Sequence, residues 1–331
     1  MGRHVLVAVS LIAALNGVIL GQTRPAQRLN PVIDLLERKQ PVFGLYAPGV
    51  GGNRGRGGAA AGATPPAPMK QAIDLAKEAL AYESADYLFN GSMEGGVDRG
   101  LTAYTDFMKA TADAGALARS PFPRLHHPMI VKTPKIATDP GKAIDNISRE
   151  LNVGAAGIMF VEAESAEEVR HGLAAMRFAS NGGTRPDAAG SAPSYWGMTE
   201  HQYKQKADLW PLNPDGELIN WTIVESREGL AHVREIAAVK GIGVLWPGAG
   251  TLRGVFSTTN AAGERVLDTA GWERAIQQVL TACREFHVPC GFPANANDIE
   301  LRMKQGFSVF VTNWGEAGFK AVSIGRAAAG R

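Results

Sequence analysis

From residue 41 almost to the end of the chain, short apolar runs alternate with segments of helical spacing. Residues 41–47, 86–89, 128–131, 156–161, 218–224, 243–246, 288–291 and 307–311 read as strands. Between the first two, Ile73, Leu75, Ala76 and Leu80 fall along one face, which predicts a helix over 69–81. The same spacing predicts helices over 101–114, 140–151, 227–238, 270–286 and 297–305, with a last one starting near Gly315. Pro140 suits a first helical turn. Ser165-Ala-Glu-Glu168 has the form of a capping box opening the helix after the fourth strand.

Strands this uniformly apolar are expected to be buried on both faces, as in a parallel sheet whose crossovers are helices. Eight strand–helix units therefore predict an α/β fold, a (β/α)8 TIM barrel forming one domain over 22–331. A doubly wound open sheet is the alternative. Two segments interrupt the rhythm. Residues 48–68 are rich in Gly, Ala and Pro and are expected to form a flexible surface insertion. Within them, Gly51-Gly-Asn-Arg-Gly-Arg-Gly-Gly58 lacks the Gly-Lys-Ser/Thr ending of a phosphate loop. Residues 179–214, after the fourth helix, carry Tyr195, Trp196, Tyr203 and Trp210. This aromatic insertion is expected to cover the site or to pack on another subunit.

The start of the chain reads differently. A short basic beginning, an apolar run from Val5 to Leu20 and a polar stretch after Gly21 describe a secretory signal peptide over 1–21. The chain is then exported, periplasmic or secreted, with no membrane contact once the signal is removed. Lys and Arg number 34 against 32 Asp and Glu, a net charge of +2, and the basic residues are scattered. That balance offers no footprint for nucleic acid. The two cysteines, Cys283 and Cys290, could pair in an exported protein. One reads as helical and the other as the end of a strand, so two free, buried thiols are expected.

In a barrel, reactive groups sit where strands end and the following loops begin. That rule selects Glu94, Lys132, Glu162, Glu225, the loop Gly248-Ala249-Gly250-Thr251 and Thr312-Asn313. Three carboxylates and a lysine are expected to converge on one face. Glu225 closes an apolar strand and suits a divalent cation, Mg²⁺ or Mn²⁺, which takes one or two carboxylates plus substrate oxygens and water. The alternative is a helix-terminal Glu favoured by the macrodipole. The small residues 248–251 suit close approach of backbone N–H groups to a substrate anion, or simply a tight turn. Lys132 could neutralise a substrate carboxylate or an enolate, or pair with a neighbouring acid. His126 and His127 precede the third strand, away from the mouth. No Ser/His/Asp or Cys/His arrangement emerges.

Asn30–Leu45, Gly154–Glu168 and Val224–Gly243 resemble the HpcH/HpaI aldolase and citrate lyase family, most specifically around Glu225. The resemblance implies a metal-dependent barrel, often a hexamer, that makes or breaks C–C bonds through an enolate of a small oxo-acid. It implies that Glu225 is the first metal-binding carboxylate, and that Lys132 stands where the family has a substrate-binding arginine. Two departures accompany it. Thr251 stands where a second metal-binding Asp is expected, and Gly95 follows Glu94 where the family has an acid–base His. Glu94 or Glu162 would have to supply the missing ligand or base. The expected function is thus a metal-dependent lyase of a small 2-oxo or hydroxy acid, with Lys132 and Glu94 catalytic. The alternative is a non-catalytic exported barrel that binds a small acid.

Overall fold

The computed structural model describes residues 27–49 and 70–331. The expected signal segment 1–21 and nearly all of the 48–68 insertion lie outside the described residues. Eight strands make the curl of the central sheet: β1 (Val42–Tyr46), β2 (Tyr87–Asn90), β3 (Met129–Thr133), β4 (Gly157–Phe160), β5 (Leu218–Val224), β6 (Val244–Pro247), β7 (Gly291–Pro293) and β8 (Val309–Thr312), and a two-residue ninth, Leu209–Trp210, pairs in parallel with the start of β5. Each of the eight pairs in parallel with the next, except at β6 and β7. There, a single parallel bridge between Leu245 and Cys290 makes the link, with the Leu245 N–H donating to Pro289 O at 2.9 Å. Parallel pairing of β8 with β1 completes the curl. The expected parallel α/β barrel architecture is therefore the observed one.

Two apolar layers hold it. Inside, every second strand residue contributes, among them Val42, Tyr87, Phe89, Ile130, Trp221, Ile223 and Trp246. A short helix, Pro31–Glu37, adds Val32, Ile33, Leu35 and Leu36 to the same cluster and so closes the end of the barrel where the strands begin. Asn30 caps it, its side chain accepting from the Val32 N–H at 3.0 Å. This helix is too short to show a periodic stripe and was not foreseen. Outside, the helices Val97–Asp113, Pro140–Val153, Ala166–Met176, Thr269–Glu285 and Glu316–Ala328 pack their apolar faces on the sheet. Among the described residues, no helix is long and apolar enough to cross a membrane.

Several local expectations change. Pro140 does open its helix, capped by Asp139. Ser165 caps the next one, but the Glu168 carboxylate accepts from the N–H groups of Glu164 and Ala137, so the box is only half formed. The helix expected over 227–238 breaks at His232 into Arg227–Ala231 and Val233–Ala237.

The aromatic insertion does not cover the mouth. Trp196 Nε1 donates to Gly154 O at 3.1 Å, and the Tyr203 hydroxyl donates to Leu151 O at 3.3 Å. Both carbonyls belong to the end of the Pro140–Val153 helix, beside the start of β4. The segment therefore packs at the opposite end of the barrel. Trp196 and Tyr203 meet edge to face, Trp210 Nε1 donates to Glu37 Oε1 at 3.2 Å, and the Arg185 guanidinium lies 4.0 Å from the ring centre of Phe178, just before the segment.

The cysteines are a second correction. Cys283 and Cys290 form a disulfide, with Cα atoms 5.7 Å apart. Cys283 lies in the last turns of its helix, and the chain reverses through Phe286 and His287 (φ 56°) before Cys290. The reversal brings the two residues within bridging range.

Candidate functional site

Alternation along the strands decides what reaches the barrel mouth. On β5, Ile219, Trp221 and Ile223 face inward, so Glu225, two residues further, does the same. On β6, Val244 and Trp246 face inward, and Gly248 follows beside Glu225. On β1, Tyr46 takes the last inward position; on β3, Lys132 does. These residues line a cavity of about 390 Å³ at the C-terminal ends of the strands. That volume lies within the range of small-molecule sites. Ala249, Gly250, Thr251, Asn295, Thr312 and Asn313 complete its polar and small-residue rim.

A larger hollow of about 930 Å³ lies at the other end, between Trp210–Leu212, Ala237–Ile242 and Phe286–Pro289. It contains none of the expected site residues.

Glu225 is 4% exposed. Its Oε1 accepts the main-chain N–H of Glu162 at 3.1 Å. No described residue donates to its Oε2, which faces the cavity side next to Gly248. Lys132, 15% exposed, donates to Glu94 Oε2 at 3.0 Å. Burial opposes the Lys132 charge, but Glu94, with help from Glu225, outweighs it and holds the ammonium above its ordinary pKa. Lys132 therefore stays cationic. Glu94 itself is 43% exposed, beyond β2 at the outer rim, and reaches the cavity only through Lys132.

Three of the four expected charges thus meet, and the fourth does not. Glu162 has φ 47°, a left-handed backbone that turns its side chain outward to Lys135, 3.4 Å away. It contributes its N–H to Glu225 rather than a carboxylate to the cavity. The 248–251 segment is a correction of another kind. Instead of a loop, it opens the helix Ala249–Val255. Gly248 has φ −73°, so glycine is required there by crowding against Glu225 and not by its dihedrals.

Could these residues hold a divalent cation? Among the described residues, no group of three or more His, Cys, Asp or Glu side chains is placed to share one. Glu225 nevertheless offers a shielded carboxylate with one oxygen lacking a protein donor. That fits a hard cation held by a single carboxylate, with substrate and water supplying the remaining oxygens. Thr251, where the resemblance leads one to expect a second ligand, is exposed and adds only a hydroxyl.

Tyr46 and Asn295 are polar lining residues that sequence reasoning missed, and of the two Tyr46 sits within a strand. Its ring meets Phe89 edge to face at 5.0 Å. The signal was present: it occupies the inward position that closes the first apolar run, but a tyrosine within a strand reads as core.

No family model matches the chain, and no curated protein does. Solved structures do. An HpcH/HpaI aldolase/citrate lyase family protein from Burkholderia cenocepacia J2315 superposes with a TM-score of 0.60 at 20% identity, over 90% of this chain and 97% of the other. The fold is that of the HpcH/HpaI aldolases and citrate lyases. An HpcH/HpaI aldolase from Desulfitobacterium hafniense DCB-2 gives a TM-score of 0.58 at 16% identity, over 85% of this chain and 89% of the other. Macrophomate synthase superposes with a TM-score of 0.54 at 19% identity, over 91% of this chain and 88% of the other. The resemblance first met around Glu225 is thus matched at the level of the fold.

Proposed function

We propose that this chain is a carbon–carbon lyase of the aldolase type, acting on a small 2-oxo or hydroxy acid through an enolate, with Mg²⁺ or Mn²⁺ held at Glu225. The observation that carries the proposal is the shielded Glu225 carboxylate. One of its oxygens is fixed by the Glu162 N–H while the other is open to a cavity lined by the Lys132 ammonium. A bound divalent cation supplies Lewis acidity that favours enolate formation.

The protein's own groups do the rest. Lys132 binds the substrate carboxylate as a point charge, and Glu94 fixes where that charge sits. The Glu162 N–H holds the Glu225 carboxylate in one orientation. Trp246, Ile223 and Phe89 wall the cavity and limit water around the reacting carbons. The helix start at Gly248–Thr251 gives the substrate a small-residue face.

A second reading, a binding barrel without catalysis, is favoured by Thr251 in place of a carboxylate and by the lack of a histidine among the described residues lining the cavity. Calorimetry separates the two. The lyase reading expects Mg²⁺ or Mn²⁺ to bind the wild type, to strengthen pyruvate binding, and to do neither in Glu225→Gln. Pyruvate binding that is indifferent to metal supports the second reading instead.

We further propose export. The apolar segment Val5–Leu20 and the Cys283–Cys290 disulfide, a bond typical of oxidising compartments, support it. N-terminal sequencing of the mature protein from its native host tests it: a start near Gln22 is expected.

A further inference from the structure

The lyase reading leaves a proton unassigned. When an aldol bond breaks, its electron pair passes to the enolate, and the enolate carbon must then take up a proton. The family pattern would supply a histidine after Glu94, and the chain has Gly95. Among the described residues, no histidine lines the cavity.

The side chains that do line it can be taken in turn. Glu225 is engaged by the Glu162 N–H and, in the lyase reading, by the cation. Lys132 is paired with Glu94 at 3.0 Å and, in the lyase reading, is engaged by the substrate carboxylate. Thr251, Thr312, Asn295 and Asn313 carry hydroxyls and amides, which do not give up protons near neutrality. Trp246 has an indole N–H, equally unsuited to proton transfer. Tyr46 remains.

Its surroundings suit the task. The hydroxyls of Tyr82, Tyr87 and Tyr203 donate to main-chain carbonyls at 3.3, 2.7 and 3.3 Å. Tyr46 has no such partner among the described residues. Its ring is held edge-on by Phe89, so the phenol is aimed rather than free to swing. A Cβ built on Gly91 would lie 3.7 Å from Lys132 Cδ and 3.8 Å from Tyr46 Cε1. The stem of the lysine and the edge of the phenol thus flank the same gap in the wall, and Lys132 bears on Tyr46 electrostatically.

We propose that Tyr46 is the catalytic acid of this barrel: its phenolic O–H protonates the enolate carbon released by C–C cleavage. This rests on the lyase reading above. In the cleavage direction the substrate hydroxyl loses its proton to water as the carbonyl forms, and the C–C electron pair becomes the enolate. The enolate carbon forms a C–H bond with the Tyr46 proton. The resulting phenolate sits beside the Lys132 ammonium and recovers a proton from water at the open mouth. No oxidant or reductant is consumed. Burial, the largest influence on the phenol, holds its pKa above the ordinary value, with Lys132 opposing, so Tyr46 enters each turnover protonated.

Pyruvate alone tests this in reverse: the minor phenolate form of Tyr46 takes a methyl proton to give the enolate, the phenol exchanges that proton with D₂O, and return of a deuteron to the carbon labels the methyl group. The full chain with Mg²⁺ is expected to exchange them. Tyr46→Phe, which removes only the hydroxyl, is expected to slow exchange on the order of 100-fold. Its calorimetric affinity for pyruvate should stay within about twofold of wild type, because an added contact of hydrogen-bond strength would cost more. Tyr46→Leu gives the same reading should the phenylalanine variant melt early. Exchange at the wild-type rate in either folded variant overturns the proposal. So does a loss of exchange fully matched by a loss of pyruvate binding, since Tyr46 would then be a binding group. A wild type that binds pyruvate with Mg²⁺ and does not exchange it overturns the role of Tyr46. A wild type that shows neither overturns the lyase reading itself.

Discussion

Gly248 stands so close to Glu225 that a methyl group on it would come to 2.5 Å from the carboxylate Oε2. The small residue after β6 and the acid after β5 are thus two halves of one arrangement. Gly248→Ala is expected to push the Glu225 side chain out of place and to cost about 1–3 kcal/mol of stability, the usual scale for overpacking. Mn²⁺ affinity measured by calorimetry should fall with it. Gly250→Ala, where a Cβ meets nothing within 4 Å, should change neither stability nor affinity.

Lys132 and Glu94 are expected to differ sharply in importance. Removing the ammonium with Lys132→Met deletes a charged contact worth about 1.5–3 kcal/mol, so pyruvate affinity should fall roughly 10- to 100-fold. Glu94→Gln leaves the ammonium in place and breaks a pair whose acid is half exposed, a loss of about 1 kcal/mol at most. Titration of both variants with pyruvate in the presence of Mg²⁺ checks the order.

The Cys283–Cys290 bond closes a short loop, with a sequence separation of 7. Constraint of so small a loop stabilises by about 2–3 kcal/mol in the chain-entropy description. Paired Cys283→Ser and Cys290→Ser substitutions should lower the melting temperature by several degrees. A reducing agent should then have no additional effect on that variant, whereas it should lower the melting temperature of the wild type.

Glu150, on the inner side of the Pro140–Val153 helix, is 0% exposed and neither carboxyl oxygen has a hydrogen-bond partner among the described residues. Burial raises its pKa well above the usual carboxylate range. For an acid with a raised folded pKa, the contribution to stability is full below the unfolded value, about 4.3, and is lost as pH rises toward the folded value. Glu150→Gln removes that dependence. The variant should gain on the wild type in thermal melts as pH rises from 4 to 8, and the advantage should shrink toward pH 4.

The barrel was legible because its strands are apolar on both sides and its helices are long enough to show a stripe, and Glu225 was legible because it ends such a strand. What escaped the sequence depended on longer-range geometry. The closing helix Pro31–Glu37 is too short to carry a period of its own. The outward turn of Glu162 depends on a single left-handed residue. The aromatic insertion carries the composition of a lid, yet it binds to carbonyls at Leu151 and Gly154, at the far end of the barrel. Tyr46 hid among core residues because periodicity says which face a side chain takes, not how near the mouth it lies. The disulfide depended on a chain reversal at His287 that no local spacing announces.

The account turns on whether the cavity around Glu225 breaks carbon–carbon bonds. Release of pyruvate from a short 4-hydroxy-2-oxo acid, followed by NMR with Mg²⁺ or Mn²⁺ present, measures this directly. Pyruvate release by the wild type, reduced on the order of 100-fold or more in Glu225→Gln, is the expected result. No release from the wild type with either metal, or release by the variant at the wild-type rate, would contradict it.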